Sequence, residues 1–115
     1  MENRRAHPRY ETSLSMEVYT GSDVVLAVAK NLSVGGVGIA MREPLPEQAP
    51  VGLSMFLVED GIEDETSTPL NLTGHVMWCS PSETGGHQAG IRFDPLTPPQ
   101  RQTIDTFLKR LTGQA

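Results

Sequence analysis

The chain has 115 residues, 37% of them hydrophobic and 5% aromatic, and a net charge of -5. That length suits one domain with a single core. The acidic balance excludes a general binder of duplex nucleic acid, whose affinity rests on a basic face.

Residues 1–9 carry charge without apolar periodicity and read as a flexible N-terminal arm, separate from a single domain over 10–115. Pro8 keeps His7 extended. Leu14, Met16 and Val18 then alternate with polar neighbours, the period of two of a half-buried strand. Gly21-Ser22-Asp23 marks a turn, and the β-branched run Val24 to Ala29 reads as the second arm of a hairpin. Asn31 to Gly36 reads as a turn before a third strand, Val37 to Met41. Pro44, Pro46 and Pro50 make the next stretch a loop.

A fourth strand is expected over Val51 to Val58 and an exposed, mobile acidic loop over Glu59 to Thr68. The fifth, Leu70 to Cys79, should place Leu72, Gly74, Val76 and Trp78 on one face. Ser80 to His87 reads as a turn and Gln88 to Asp94 as a sixth strand. Thr97 can cap a final helix, with Pro98 and Pro99 tolerated in its first turn. Ile104, Phe107, Leu108 and Leu111 follow the spacing of one helical face, and Gly113 ends it. The fold class is mainly β: a six-stranded antiparallel barrel covered by a C-terminal helix.

Cys79 is the only cysteine, so no internal disulfide can form, and a small hydrophobe in a strand is the simplest account of it. No segment reads as a signal peptide, and the longest aliphatic run, Val24 to Ala29, is far short of a membrane span. These features predict a cytoplasmic chain without membrane insertion. No nucleophile is paired with a base, so catalysis is unsupported. His7, His75 and His87 are dispersed without partners at ligand spacing, which gives no metal site and no cofactor.

Two segments carry the chemistry. Arg4, Arg5 and Arg9 are three of the nine basic residues, while five acidic residues crowd positions 59 to 65. A small anion is drawn to the first region, and a long polyanion is repelled by the second. Guanidinium groups grip a phosphate, or the O6/N7 edge of guanine, with paired hydrogen bonds. Asn31, Ser33, Gly35 and Gly36 supply short polar groups beside backbone a flat ligand can approach. Each segment also has a plain reading, a solvated terminal cluster and a simple turn. The glycines are not a phosphate-binding P-loop, since no Lys-Ser or Lys-Thr follows them.

In their order and strand context, Arg5 and Arg9 before the first strand, then Asn31-x-Ser33-x-x-Gly36 after the second, resemble the PilZ domain family of bacterial cyclic di-GMP receptors. Trp78, the run Gly90-Ile91-Arg92-Phe93 and the closing helix resemble its later elements. The resemblance implies a PilZ-type barrel whose arm closes over cyclic di-GMP. Arg5 and Arg9 would hold guanine edges and phosphate; Asn31, Ser33 and Gly36, with Gly35 beside them, would contact guanine and phosphate from the barrel. Asn31 stands where many members have Asp, keeping an acceptor but not the charge. A basic residue at the place of Arg4 goes, in that family, with an intercalated ligand dimer. Trp78 reads as core from its neighbours and, from the resemblance, as a candidate for stacking on guanine; Arg92 is a lesser candidate.

The function so implied is a non-enzymatic receptor or adaptor that orders its arm on binding and signals to an unidentified effector protein. A PilZ-like adaptor that binds protein and no nucleotide is the alternative, and the intact motif residues count against it. A barrel binding single-stranded nucleic acid is a third, opposed by the acidic charge and the scarcity of aromatics.

Overall fold

The computed structural model describes residues 10–57 and 69–111, the last two as backbone alone. Six strands and one helix follow in chain order: β1 (Tyr10–Tyr19), β2 (Val24–Leu32), β3 (Gly36–Met41), β4 (Pro50–Met55), β5 (Leu70–Pro81), β6 (His87–Phe93) and α1 (Pro98–Leu111). All neighbours are antiparallel, and the sheet closes as β1-β2-β3-β6-β5-β4. Closure is made by β1 against β4, with Met16 opposite Met55 and Val18 opposite Leu53. The expected six-stranded antiparallel barrel with a C-terminal helix is the observed one.

Alternation builds the interior. Leu14, Met16 and Val18 of β1, Val37 and Ile39 of β3, Leu53 and Met55 of β4 and Ile91 of β6 are all buried in one cluster. Ile104, Phe107 and Leu108 join it from α1, so the helical stripe read from the sequence is the face that packs on the barrel. Leu111 has its side chain outside the described residues, as Gly113 lies wholly outside them.

The helix start is a reciprocal cap. The Gln100 amide donates to Thr97 Oγ1 at 3.3 Å and the Thr97 amide to Gln100 Oε1 at 2.9 Å. Two amides without intrahelical partners are thereby satisfied by one Thr-x-x-Gln pair. Gln100 Nε2 also donates to the Asn71 carbonyl at 3.0 Å, fastening the helix start to β5.

Several boundaries differ from the sequence reading. β2 runs on to Leu32, so Asn31 is a strand residue, and the chain bends only over Ser33 to Gly36, the last of which already opens β3. β4 stops at Met55; Phe56 and Leu57 leave the ladder, although the Phe56 amide still donates to the Ser15 carbonyl at 3.1 Å. β5 extends to Pro81, which shortens the following turn. Val58 and the acidic stretch Glu59 to Thr68 lie outside the described residues, as does the arm, residues 1–9.

Candidate functional site

Two irregularities shape the outer surface. Between β2 and β3, Ala29 pairs with Ile39 but Asn31 with Gly38, so Lys30 is an extra residue. Between β5 and β6, Val76 pairs with Ile91 but Trp78 with Gly90, so Met77 is an extra residue. A bulge of this kind shifts the phase of alternation and re-aims the side chain that follows. Leu32 and Cys79 regain the inner phase three residues after Ala29 and Val76, and Asn31 and Trp78 are turned outward.

Trp78 is therefore a correction. Strict alternation puts it in the core with Leu72 and Val76, whereas it is 44% exposed on the outer face. The pyrrole side of its indole crowds Gly90: a Cβ there would clash with Trp78 Nε1 and meet Cε2 at 2.7 Å and Cδ1 at 3.0 Å. The mirrored arrangement holds on the other side. A Cβ on Gly38 would meet the Asn31 amide nitrogen at 2.7 Å and its oxygen at 2.8 Å. Gly38 and Gly90 are themselves cross-strand partners. One continuous row thus crosses four strands, Asn31–Gly38–Gly90–Trp78, with an amide at one end, an indole at the other and two glycines as its floor.

Arg92 extends this surface. It lies two residues beyond Gly90 on the same face of β6, exposed, between Gly36 of β3 and His75 of β5. The nearest acidic group along that face, Asp94, is engaged elsewhere: Thr73 Oγ1 donates to its Oδ2 at 2.7 Å, and His75 Nδ1 lies 3.1 Å from its Oδ1. Among the described residues Arg92 makes no ion pair.

The bend sits next to the row. Ser33 is 3% exposed. Its hydroxyl accepts from the Gly35 and Gly36 amides, each at 3.1 Å, and donates to the Gly36 carbonyl at 3.3 Å. One donor and two acceptor sites are all a hydroxyl has. Ser33 therefore holds the bend together, and in this conformation its side chain is saturated. Gly36 answers a different need: a Cβ there would press on the Ile91 carbonyl and lie 3.4 Å from the Arg92 Cα, so only glycine lets β3 approach β6. Among the described residues, positive φ is confined to Gly21, Gln48, Gly85 and Gly86, so Gly35 and Gly36 are not there to provide it. The Gly35 carbonyl accepts from the Phe93 amide at 3.0 Å and ties the bend to β6.

The sequence-derived candidates thus fall into three groups. Asn31, Trp78 and Arg92 share the outer surface, while Ser33, Gly35 and Gly36 form the bend at its margin. Arg4, Arg5 and Arg9 lie outside the described residues. Gly38 and Gly90 were missed as site residues. The available signal was a glycine inside a strand, which marks a close approach of another group. Away from this surface, the Tyr19 phenol donates a hydrogen bond to the Glu17 carboxylate, which raises its pKa above the ordinary tyrosine value.

Gly90→Ala tests the floor. Its methyl group would displace the indole, which is free to swing into solvent because Trp78 is at the surface. Trp78 is the only tryptophan of the chain. Its emission should shift to the red, while the melting transition moves by no more than about 1–3 kcal/mol of overpacking. Unchanged emission would show that the indole does not rest on Gly90.

The fold and this surface define a closed antiparallel barrel with a row of an amide, two glycines and an indole on its outside. The PilZ domain family model matches residues 3–110, and the chain belongs to that family. Among solved structures, it is similar to the inhibitor of motility MotI/DgrA of Bacillus subtilis, with TM-score 0.77 and 14% identity over 99% of this chain and 54% of that one. It is similar to YcgR of Escherichia coli in complex with c-di-GMP, with TM-score 0.77 and 14% identity over 96% and 47%. A third is the MrkH–c-di-GMP complex of K. pneumonia, with TM-score 0.75 and 16% identity over 98% and 54%. The chain spans about half the length of these three proteins. No match is found among curated proteins.

Proposed function

We propose that this chain is a receptor for cyclic di-GMP with no catalytic activity of its own. The observation that carries the reading is the outer row Asn31–Gly38–Gly90–Trp78, with Arg92 beside it and the Ser33–Gly36 bend at its margin. Asn31 offers an acceptor to the N1 and N2 hydrogens of guanine. Trp78 offers a flat apolar surface on which a base stacks, and Arg92 a charge for phosphate. Ser33 and Gly35 act by positioning the bend, and Gly36 by keeping it close to β6.

The arm supplies the rest. Tyr10 is the Cα partner of Leu32 and Glu11 of Asn31, so the chain enters the barrel beside the bend. Arg9 is bonded to Tyr10, and Arg5 is five residues away, a reach of roughly 18 Å. The arginines therefore have the length of chain needed to return over the row. Arg5 and Arg9 would clasp guanine edges and phosphate, and Arg4 a second, intercalated ligand molecule. Ligand bridging the arm to the bend creates a surface absent from the free protein, and an effector protein that reads it receives the signal. The c-di-GMP held by the structurally similar YcgR and MrkH supports the ligand class. Among the described residues no helix is long and apolar enough to cross a membrane.

Because Trp78 is the sole tryptophan, its fluorescence reports on the row directly. Cyclic di-GMP should change that emission saturably, with matching heat in a calorimetric titration, while a short single-stranded oligonucleotide does neither. A saturating ratio of two ligands per chain is expected, and a ratio of one would remove the intercalated dimer. Absence of both signals with cyclic di-GMP would sink the reading.

A further inference from the structure

In an antiparallel barrel the outward positions of a strand face water and are usually polar. β2 breaks this rule over its first half. Its successive outward residues are Val24, Leu26 and Val28, which are 55%, 72% and 37% exposed. They are not isolated. Leu26 and Val28, with Ala40 of β3 and Phe56 after β4, line a groove of about 750 Å³ on the outside of β1, β2 and β3. A contiguous apolar surface rimmed by charge is the mark of an interface.

The rim charges say what fits there. Glu17 of β1 is the cross-strand partner of Leu26. Arg42 follows Met41, the β3 partner of Ala27, and lines the opposite wall. Leu26 is thus flanked by an acid on one side and a guanidinium on the other. Among the described residues neither is paired with an opposite charge within its own copy, although Glu17 accepts a hydrogen bond from the Tyr19 hydroxyl. Consider a two-fold axis between two copies, parallel to β2. It exchanges left and right but preserves strand direction. Leu26 then meets its own counterpart, and Glu17 faces Arg42 of the partner subunit, twice over. An axis across the strands would instead set Glu17 against the same acid. The surface is self-complementary in the first orientation and self-repelling in the second, which is how isologous contacts are specified.

We infer that the outer face of β1, β2 and β3 around Leu26 is a homodimer surface, with Glu17 and Arg42 fixing a two-fold parallel to β2. The inference concerns the free protein and does not depend on the ligand reading above. The face ends at Val28, three residues from Asn31 along β2, so the dimer would bring two recognition rows to neighbouring positions.

Sedimentation equilibrium of the 115-residue chain, without nucleotide, tests it. The expected mass is twice the 12.5 kDa of one chain. Leu26→Arg should weaken self-association about a hundredfold, since it replaces an apolar contact on the two-fold with two guanidinium groups facing each other. Its unchanged circular dichroism would show that the barrel is intact. Glu17→Arg and Arg42→Glu should each weaken the dimer about tenfold, and the double charge exchange should restore it. A wild-type chain that stays monomeric at high concentration overturns the inference, and such a face would then belong to a different protein. A dimer indifferent to Leu26→Arg also overturns it, as does a charge exchange that does not restore association.

Discussion

Ser33→Ala is expected to destabilise the barrel by about 2–3 kcal/mol, a fall in melting temperature on the order of 10 °C. The hydroxyl is the hydrogen-bond partner of two amides and one carbonyl in a bend that excludes most solvent. Removing it leaves donors buried and unmatched, which costs more than the net value of the bonds themselves. Ligand affinity should fall as well, because the bend supports Asn31 on one side and is tied through the Gly35 carbonyl to β6 on the other. Asn31→Ala is the contrasting variant. Asn31 is half-buried on the outer face, so its loss should reduce affinity for cyclic di-GMP with a much smaller change in melting. If thermal denaturation ranks the two variants the other way, Ser33 is not the keystone of the bend.

Arg5→Ala should weaken cyclic di-GMP binding by about tenfold to more than a hundredfold, with no change in melting of the free protein. The magnitude follows from a bidentate guanidinium–guanine contact of about 1–3 kcal/mol. Arg5→Lys should recover only part of it, because an ammonium keeps the charge but loses the planar fork. Calorimetric titration of the three proteins provides the comparison. Equal affinities for wild type and Arg5→Ala would remove the arm from the site and leave the row to account for all recognition.

Much of the architecture was legible from alternation and punctuation. Leu14-Met16-Val18 shows its buried face directly, and Thr97-Pro98-Pro99 announces a helix start that the structure completes with Gln100. What alternation alone conceals is a change of phase. Lys30 and Met77 each insert one residue into a ladder, and from there a strict period of two assigns the wrong face. Strict alternation puts Trp78 in the core for that reason, whereas the family resemblance offers it as an outward stacking candidate. A signal was nevertheless present: Ala29 and Leu32, like Val76 and Cys79, are inward residues separated by three positions rather than two. An odd interval between buried positions of one strand requires an extra residue between them. The glycines tell a similar story. Gly36 looks like a residue chosen for a left-handed turn, but its need is proximity to the Ile91 carbonyl, and only a neighbouring strand reveals that.

Closure of the sheet by β1 against β4 sets the terms on which any other molecule can be met. Every strand has a hydrogen-bonded neighbour on each side, although some contacts are partial: β1 meets β4 only over Met16–Tyr19, and β2 meets β3 only from Ala27 onward. Closure thereby denies an incoming peptide a full-length sheet edge and confines strand addition to the short stretches where a neighbour falls away. A molecule that docks on the paired face of the barrel must read the chemistry of its side chains, and single substitutions there should switch individual interactions off one at a time without opening the cylinder.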